Sequence, residues 1–413
     1  MRTLGWRVLV LAALLAAVSA DRAAVGDAIR ASRLSPAEEA FIREHWRRPI
    51  APQGEPPARY TAIERSLAPA SCGACHPAQW SDWQQSLHAK SMGPGIAGQL
   101  VEMIERDPAM ARSCFACHAP LAEQVPLIRG DAGLVPNPAL DVALQSQGVV
   151  CASCHVRAHQ RYGPPRRDGS VVDRVPRETL PHNGLTRTTA FLRSEFCASC
   201  HQFSASGLTL NGKPLENTLE EWRASPAARR GQQCQDCHMP DRRHLWKGIH
   251  DPEMVKSGVR VELSTGRRRY RPGETVSARL TIENSGVGHA FPTYVTPRVT
   301  VRAALIDASG QLVPGSVEER HIGREVTLDL SREIADTRIP AGRRFVLGYT
   351  RRLTEPGMRL RVTVTVLPDH FYTAFFSALL DSGAGAGAGQ IREALEATQR
   401  SAFVIFDRDV PLT

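Results

Sequence analysis

The chain has 413 residues, a formal net charge of +9 and ten cysteines. The basic balance is compatible with nucleic acid, but the chain opens on an export signal, which excludes that partner. No later apolar run is long enough to cross a bilayer, which excludes an integral membrane span in the mature chain.

Arg2 and Arg7 form a basic n-region, Val8 to Val18 an apolar stretch, and "AVSA" a small-residue site that predicts cleavage after Ala20. Residues 1–20 are therefore expected to be a signal peptide, and the mature protein periplasmic or exported further. No Cys follows the site, so no lipid anchor is expected. Residues 21–70 read as a lead-in helix and a Pro-rich connector. "SPAEEAFIREHW" offers Ser35 as N-cap, Pro36 at the first helical position and Glu38 to close a capping box.

Residues 71–256 hold all ten cysteines, in five copies of one unit: Cys72, Cys75 and His76; Cys114, Cys117 and His118; Cys151, Cys154 and His155; Cys197, Cys200 and His201; Cys234, Cys237 and His238. C-x-x-C-H is the attachment signal for c-type haem. Two thiols about one helical turn apart meet the two vinyl groups of one porphyrin edge and form thioethers, and the adjacent His reaches the iron as proximal ligand. Zinc also takes Cys and His, but it does not require His directly after each second Cys. Disulfides leave the five histidines without a role. Five covalently bound haems are expected, with their iron. The copies recur about every forty residues, without a strict solenoid period. Such short units cannot each build a core, so the porphyrins are expected to serve as core. "HPAQWSDWQQSLHA" reads as one of the surrounding helices, with Trp80, Trp83, Gln84, Leu87 and His88 near one face.

Five haems bring about ten propionates, so the Arg and Lys excess reads as their counter-charge. Arg166-Arg167, Arg242-Arg243 and Arg267 to Arg269 are expected to form solvated faces, with a docking patch for a redox partner as the sharper alternative.

The pattern changes in residues 257–413. Val259, Val261 and Leu263 alternate, as do Val276 to Ile282, Val299 to Leu305 and Met358 to Val366. A period of two with intervening turns predicts antiparallel strands and a β-sandwich. A helical tail follows, "FYTAFFSALL" and "QIREALEATQ", with the Gly run Gly383 to Gly389 between them reading as a flexible linker. "SAFVIFD" adds a candidate last strand. The fold class is α+β and multidomain: a mainly helical and loop-built multihaem domain, then a β-sandwich with C-terminal helices.

The segments "CGACHPAQWSDWQQSLHAKSM", "GVVCASCHVRAHQRYGPP", "HLWKGIHDPE" and "GHAFPT" are similar to the multihaem cytochromes c related to the tetrahaem carrier that takes electrons from hydroxylamine oxidoreductase. The resemblance covers roughly residues 60–300 and implies electron transfer. It also implies that the His of "W..S.HA" is a distal ligand to another haem, here His88 to the third. His244 and His250 of "HLWKGIH" look like two more, and His182 and His289 complete five, with His159 in reserve. A second His on each iron gives a low-spin carrier, whereas an open position admits substrate. His45, His321 and His370 lack a supporting motif. This chain departs from the tetrahaem pattern by one haem and by its β-rich final third.

The expected function is a periplasmic pentahaem cytochrome that relays single electrons between a donor dehydrogenase and an acceptor reductase or oxidase, with no catalytic residues of its own. One alternative is a reductase of a nitrogen or sulfur oxyanion at one open haem, although the Lys-ligated motif of pentahaem nitrite reductases is missing. The other is a polymerising cytochrome wire assembled through the β-domain.

Overall fold

A computed structural model describes residues 33–131, 133–173, 175–267 and 269–412. The expected signal peptide lies outside these residues. The lead-in helix α1 (Pro36–His45) starts as its sequence predicts: Glu38 N donates to Ser35 Oγ at 3.2 Å, and Ser35 N to Glu38 Oε2 at 2.7 Å.

The attachment region consists of short helices joined by loops. They include α2 (Pro69–Gly73), α3 (Pro77–Gln85), α4 (Pro94–Arg106), α5 (Pro108–His118), α6 (Cys151–His155), α7 (Ala198–His201) and α8 (Cys234–His238). Each is too short to be stable alone. Their apolar side chains form separate small clusters, one around Trp46, Trp83 and Phe196, one around Leu100 and Phe115, and one around Leu219 and Trp222. Helix α3 ends before the expected position. Ser86 Oγ donates to Trp83 O at 2.7 Å and closes the last turn, so Leu87 is exposed and His88 sits in the following turn, off the helix.

The C-terminal third is built from two antiparallel sheets. Strands β1 (Thr209–Leu210) and β2 (Lys213–Pro214) form a hairpin in the attachment region, and β3 (Val259–Thr265), β4 (Thr275–Asn284) and β8 (Arg344–Arg352) form one C-terminal sheet, with β4 central. The other sheet has the order β7 (Glu333–Asp336), β6 (Glu318–Val326), β5 (Arg298–Ile306), β9 (Arg359–Leu367), β10 (Phe403–Pro411). Register pairs Val299 with Val366, Val301 with Val364 and Leu305 with Leu360, so buried side chains meet across the strands. The inner faces of both sheets share one core, to which Leu280, Ile282, Val301, Ile322 and Leu360 all belong.

Several contacts join the regions, and two of them bear on the fold. Arg324 of β6 is fully buried. Its Nε pairs with Glu333 at 2.8 Å, and its Nη groups donate to Leu210 O, Lys213 O and Pro214 O of the β1–β2 hairpin at 3.0, 3.2 and 2.7 Å. The second contact overturns the linker expectation. Helices α9 (His370–Asp381) and α10 (Ala388–Gln399) pack on α4, and the glycines between them lie in that contact. Ala386 N donates to Glu102 Oε1 at 3.1 Å, and a Cβ at Gly387 would collide with the Gly98 carbonyl. The small residues permit a close approach of two backbones, which is a packing role.

Candidate haem sites

Four of the five CxxCH units are wound as helix through their second Cys, and the first straddles the end of α2, with His76 capping α3. The winding sets the two thiols of each unit about one turn apart. None of the ten cysteines is paired in a disulfide. Among the described residues no group of three or more His, Cys, Asp or Glu side chains converges as a metal site.

The imidazoles are arranged in facing pairs. Ring centroids are 6.2 Å apart for His88 and His201, 6.2 Å for His155 and His244, and 6.3 Å for His238 and His289, whose planes differ by only 9°. Two metal–nitrogen bonds of about 2.0 Å in trans, plus two ring radii of about 1.2 Å, separate centroids by roughly 6.4 Å. The donor set and spacing therefore fit an iron between each pair.

Hydrogen bonding fixes which nitrogen is free. Nδ1 of His155 donates to Tyr162 O at 2.8 Å, that of His238 to Lys247 O at 2.7 Å, that of His244 to Arg242 O at 2.9 Å and that of His289 to Ala290 O at 2.9 Å. His118 Nδ1 donates to Ser91 O at 2.6 Å. A neutral ring that donates from Nδ1 keeps its Nε2 lone pair for metal. Burial pushes the imidazolium pKa of His88 down to about 3, and those of His155 and His289 down to about 4. These rings stay neutral, the form a metal requires.

The structure sorts the expected distal ligands. His88 faces His201 of the fourth motif, not the third, and His244 takes the place opposite His155. His289 is opposite His238 of the fifth. His182 stands near enough to His76 to feel its charge, with Nδ1 donating to Gly184 O at 3.0 Å and Nε2 left over. His250 Nε2 sits 3.0 Å from Asp369 Oδ1, and no ring contact with a proximal histidine accompanies it among the described residues. His159 is buried; its Nε2 donates to Gly54 O at 2.9 Å, and its Nδ1 has no partner. Among the described residues no histidine ring faces His76 or His118 at the iron-bridging distance. His45 is a buried structural ring whose Nε2 donates to Cys154 O at 2.9 Å.

The loop that delivers His289 is held from both regions. Asn284 Nδ2 donates to His289 O at 2.8 Å and to Ile339 O at 2.9 Å. Glu221 of the attachment region accepts from Ala290 N at 3.1 Å, Thr293 Oγ1 at 2.7 Å and Arg338 Nη1 at 2.7 Å. Gly288 is needed for close approach, since a Cβ there would lie 3.2 Å from Ala227 Cβ. Phe291 packs into the β core instead of projecting toward a porphyrin. Sequence reasoning missed Tyr294, whose hydroxyl is 2.7 Å from His201 Nδ1, and Glu221. Neither carries a motif; only the folded topology brings them to the site.

The motif helices, their paired thiols and the facing imidazoles are the features of one class: a multihaem c-type cytochrome. Residues 71–156 match the family model described as cytochrome c554 and c-prime. The chain is 27% identical over 138 residues to cytochrome c-554 of Nitrosomonas europaea, covering 32% of this chain and 54% of that protein. The match thus spans about half the length of that curated relative. In three dimensions the chain is similar to a penta-heme cytochrome c552 from Thermochromatium tepidum, with a TM-score of 0.60 at 18% identity, over 85% of this chain and all of that one. These likenesses support a multihaem cytochrome c family for this chain and imply covalently bound haem.

Proposed function

We propose that the chain is a periplasmic pentahaem electron carrier, relaying single electrons between a donor and an acceptor protein. Each haem, when bound, supplies an iron that takes up and releases one electron. The ten cysteines would hold five macrocycles. His76, His118, His155, His201 and His238 would be the proximal ligands, and His182, His244, His88 and His289 the distal ligands for the first, third, fourth and fifth sites. The observation that carries this reading is the set of three imidazole pairs at iron-bridging spacing. The C-terminal third, read as a β-sandwich, supplies one of those imidazoles and so belongs to the haem array.

The thiols support an order for the relay. Cys72 contacts Cys151, Cys197 contacts Cys234, and Cys117 contacts Cys200. Cys154 and Cys200 also feel each other's charge. The first motif thus adjoins the third, the third the fourth, and the fourth both the second and the fifth. The exposed thiols Cys75 and Cys237 belong to the first and fifth motifs, where partner proteins would exchange electrons.

One observation favours a second reading at one site. His118, like His76, lacks a facing ring among the described residues, and at the second motif Tyr372, whose phenol is held protonated by burial, is close enough to Cys114 to feel its charge. A small ligand or oxyanion would be reduced there if the chain is an enzyme. The test is mass spectrometry with visible and EPR spectroscopy of the holoprotein, with and without carbon monoxide or nitrite. The carrier reading expects five haem additions, four low-spin irons and no turnover of nitrite. Fewer additions, or steady nitrite consumption with an electron donor, would overturn it.

A further inference from the structure

Arg48, just beyond α1 and outside residues 71–156 that match the family model, lies where two attachment motifs meet. Its Nη1 donates to Ala116 O and stands 3.6 Å from Cys117 Sγ; its Nη2 donates to Ser199 O at 3.0 Å and stands 3.0 Å from Cys200 Sγ. Ala116 and Ser199 hold the same place in their motifs, directly before the second Cys. The guanidinium therefore bridges the ends of α5 and α7, where carbonyls point outward and a cation is favoured. Arg157 repeats the contact on the third motif, its Nη1 donating to Ser153 O at 3.0 Å, and Arg48 and Arg157 are close enough to feel each other's charge.

Neither guanidinium has a carboxylate in ion-pairing reach among the described residues. The groups that face Arg48 are carbonyls, two sulfurs and Arg157. Once the sulfurs are thioethers they carry no charge. The contact is also at the thioether edge of each macrocycle, away from the propionates. The positive charge of Arg48 is then held beside two haems without a counter-ion, and Arg keeps that charge at any working pH. An adjacent cation favours whichever iron state carries less positive charge, which is the reduced one.

We propose that Arg48 is a positioning residue that clamps the second and fourth haem motifs together and raises the reduction potential of both haems. The proposal rests on the five-haem reading. It makes the fourth haem and the second, which branches from it, the place where electrons collect, with the first and fifth haems as the exchange sites.

The test compares Arg48→Gln and Arg48→Lys in the full holoprotein, by haem mass count and potentiometric titration followed in the visible spectrum. Arg48→Gln keeps a donor to the carbonyls and loses the charge. It should retain five haems while two of the potentials fall by a tenfold change in the electron-uptake constant, about 59 mV for one electron. Arg48→Lys should leave those two potentials near their original values. Unchanged potentials in Arg48→Gln, or an equal fall in Arg48→Lys, would overturn the proposal. If Arg48→Gln fails to load haem, Arg48→Lys must load five and keep its potentials; failure of both makes Arg48 an assembly residue and rejects the tuning role. A wild-type count other than five would reject the underlying reading instead.

Discussion

The strands β3–β10 bury one apolar core, which includes Val259, Ile282, Val301, Leu360 and Val366, while α9 and α10 keep a small cluster of their own around Phe376 and Ile391. Residues 36–238 divide theirs among small clusters around Trp83, Phe115 and Trp222. One chain thus uses two different means of holding a fold. The β region has alternating side chains, paired registers and a continuous interior, so its folding is self-sufficient. The attachment region has helices of four to thirteen residues whose repeated geometry is that of the thiol and imidazole positions. Its organisation depends on what the cysteines and histidines bind.

The largest effect should come from withholding haem. In protein produced without covalent attachment, amide hydrogen exchange should remain slow in β5 and β9 and become fast in α6, α7 and α8. Equal protection on both sides would break the contrast between the regions.

The joint between them comes next. Arg324→Met strands the carbonyls of the β1–β2 hairpin and removes the buried partner of Glu333, and should cost about 3 kcal/mol in denaturant unfolding of the holoprotein. A loss below about 1 kcal/mol would mean that the hairpin is not anchored by this side chain. Gly98→Leu tests the packed glycines. A Cβ at Gly98 already lies 2.9 Å from Ile391 Cδ1, so the larger side chain should cost about 1–3 kcal/mol through overpacking. A flexible linker at residues 383–389 would tolerate it without change. The smallest effect is expected from His159→Ala, about 1 kcal/mol for the hydrogen bond to Gly54 O, with the iron spectra unaltered. A new high-spin iron in that variant would move the first distal ligand from His182 to His159.

How much of this was legible in the sequence follows from how local each requirement is. Covalent attachment needs two thiols and an imidazole within five consecutive residues, so those sites appear as a motif. Strands β3, β4, β5 and β9 also appear, because their alternation faces a single core. Strand β6 does not. Ile322, Gly323 and Arg324 are buried in succession, because Arg324 serves the hairpin of the other region while Ile322 serves the β core. The distal ligands are legible as candidate histidines but not as pairs. That His88 faces His201 depends on α3 ending at Gln85 and on where α7 packs, neither of which sequence spacing encodes. The Gly run between α9 and α10 misleads for a related reason. Small residues suit both a loose tether and a tight contact, and only the neighbouring surface of α4 decides between them.

His289→Ala tests the central claim most directly, since it asks whether the self-sufficient β region completes a haem site of the other. Visible and EPR spectra of the holoprotein, with carbon monoxide titration, should show five haems retained, one additional high-spin iron, and carbon monoxide binding at two sites where the wild type has one. Spectra identical to wild type would mean that His289 is no ligand, and that the β region is attached to the haem array without taking part in it.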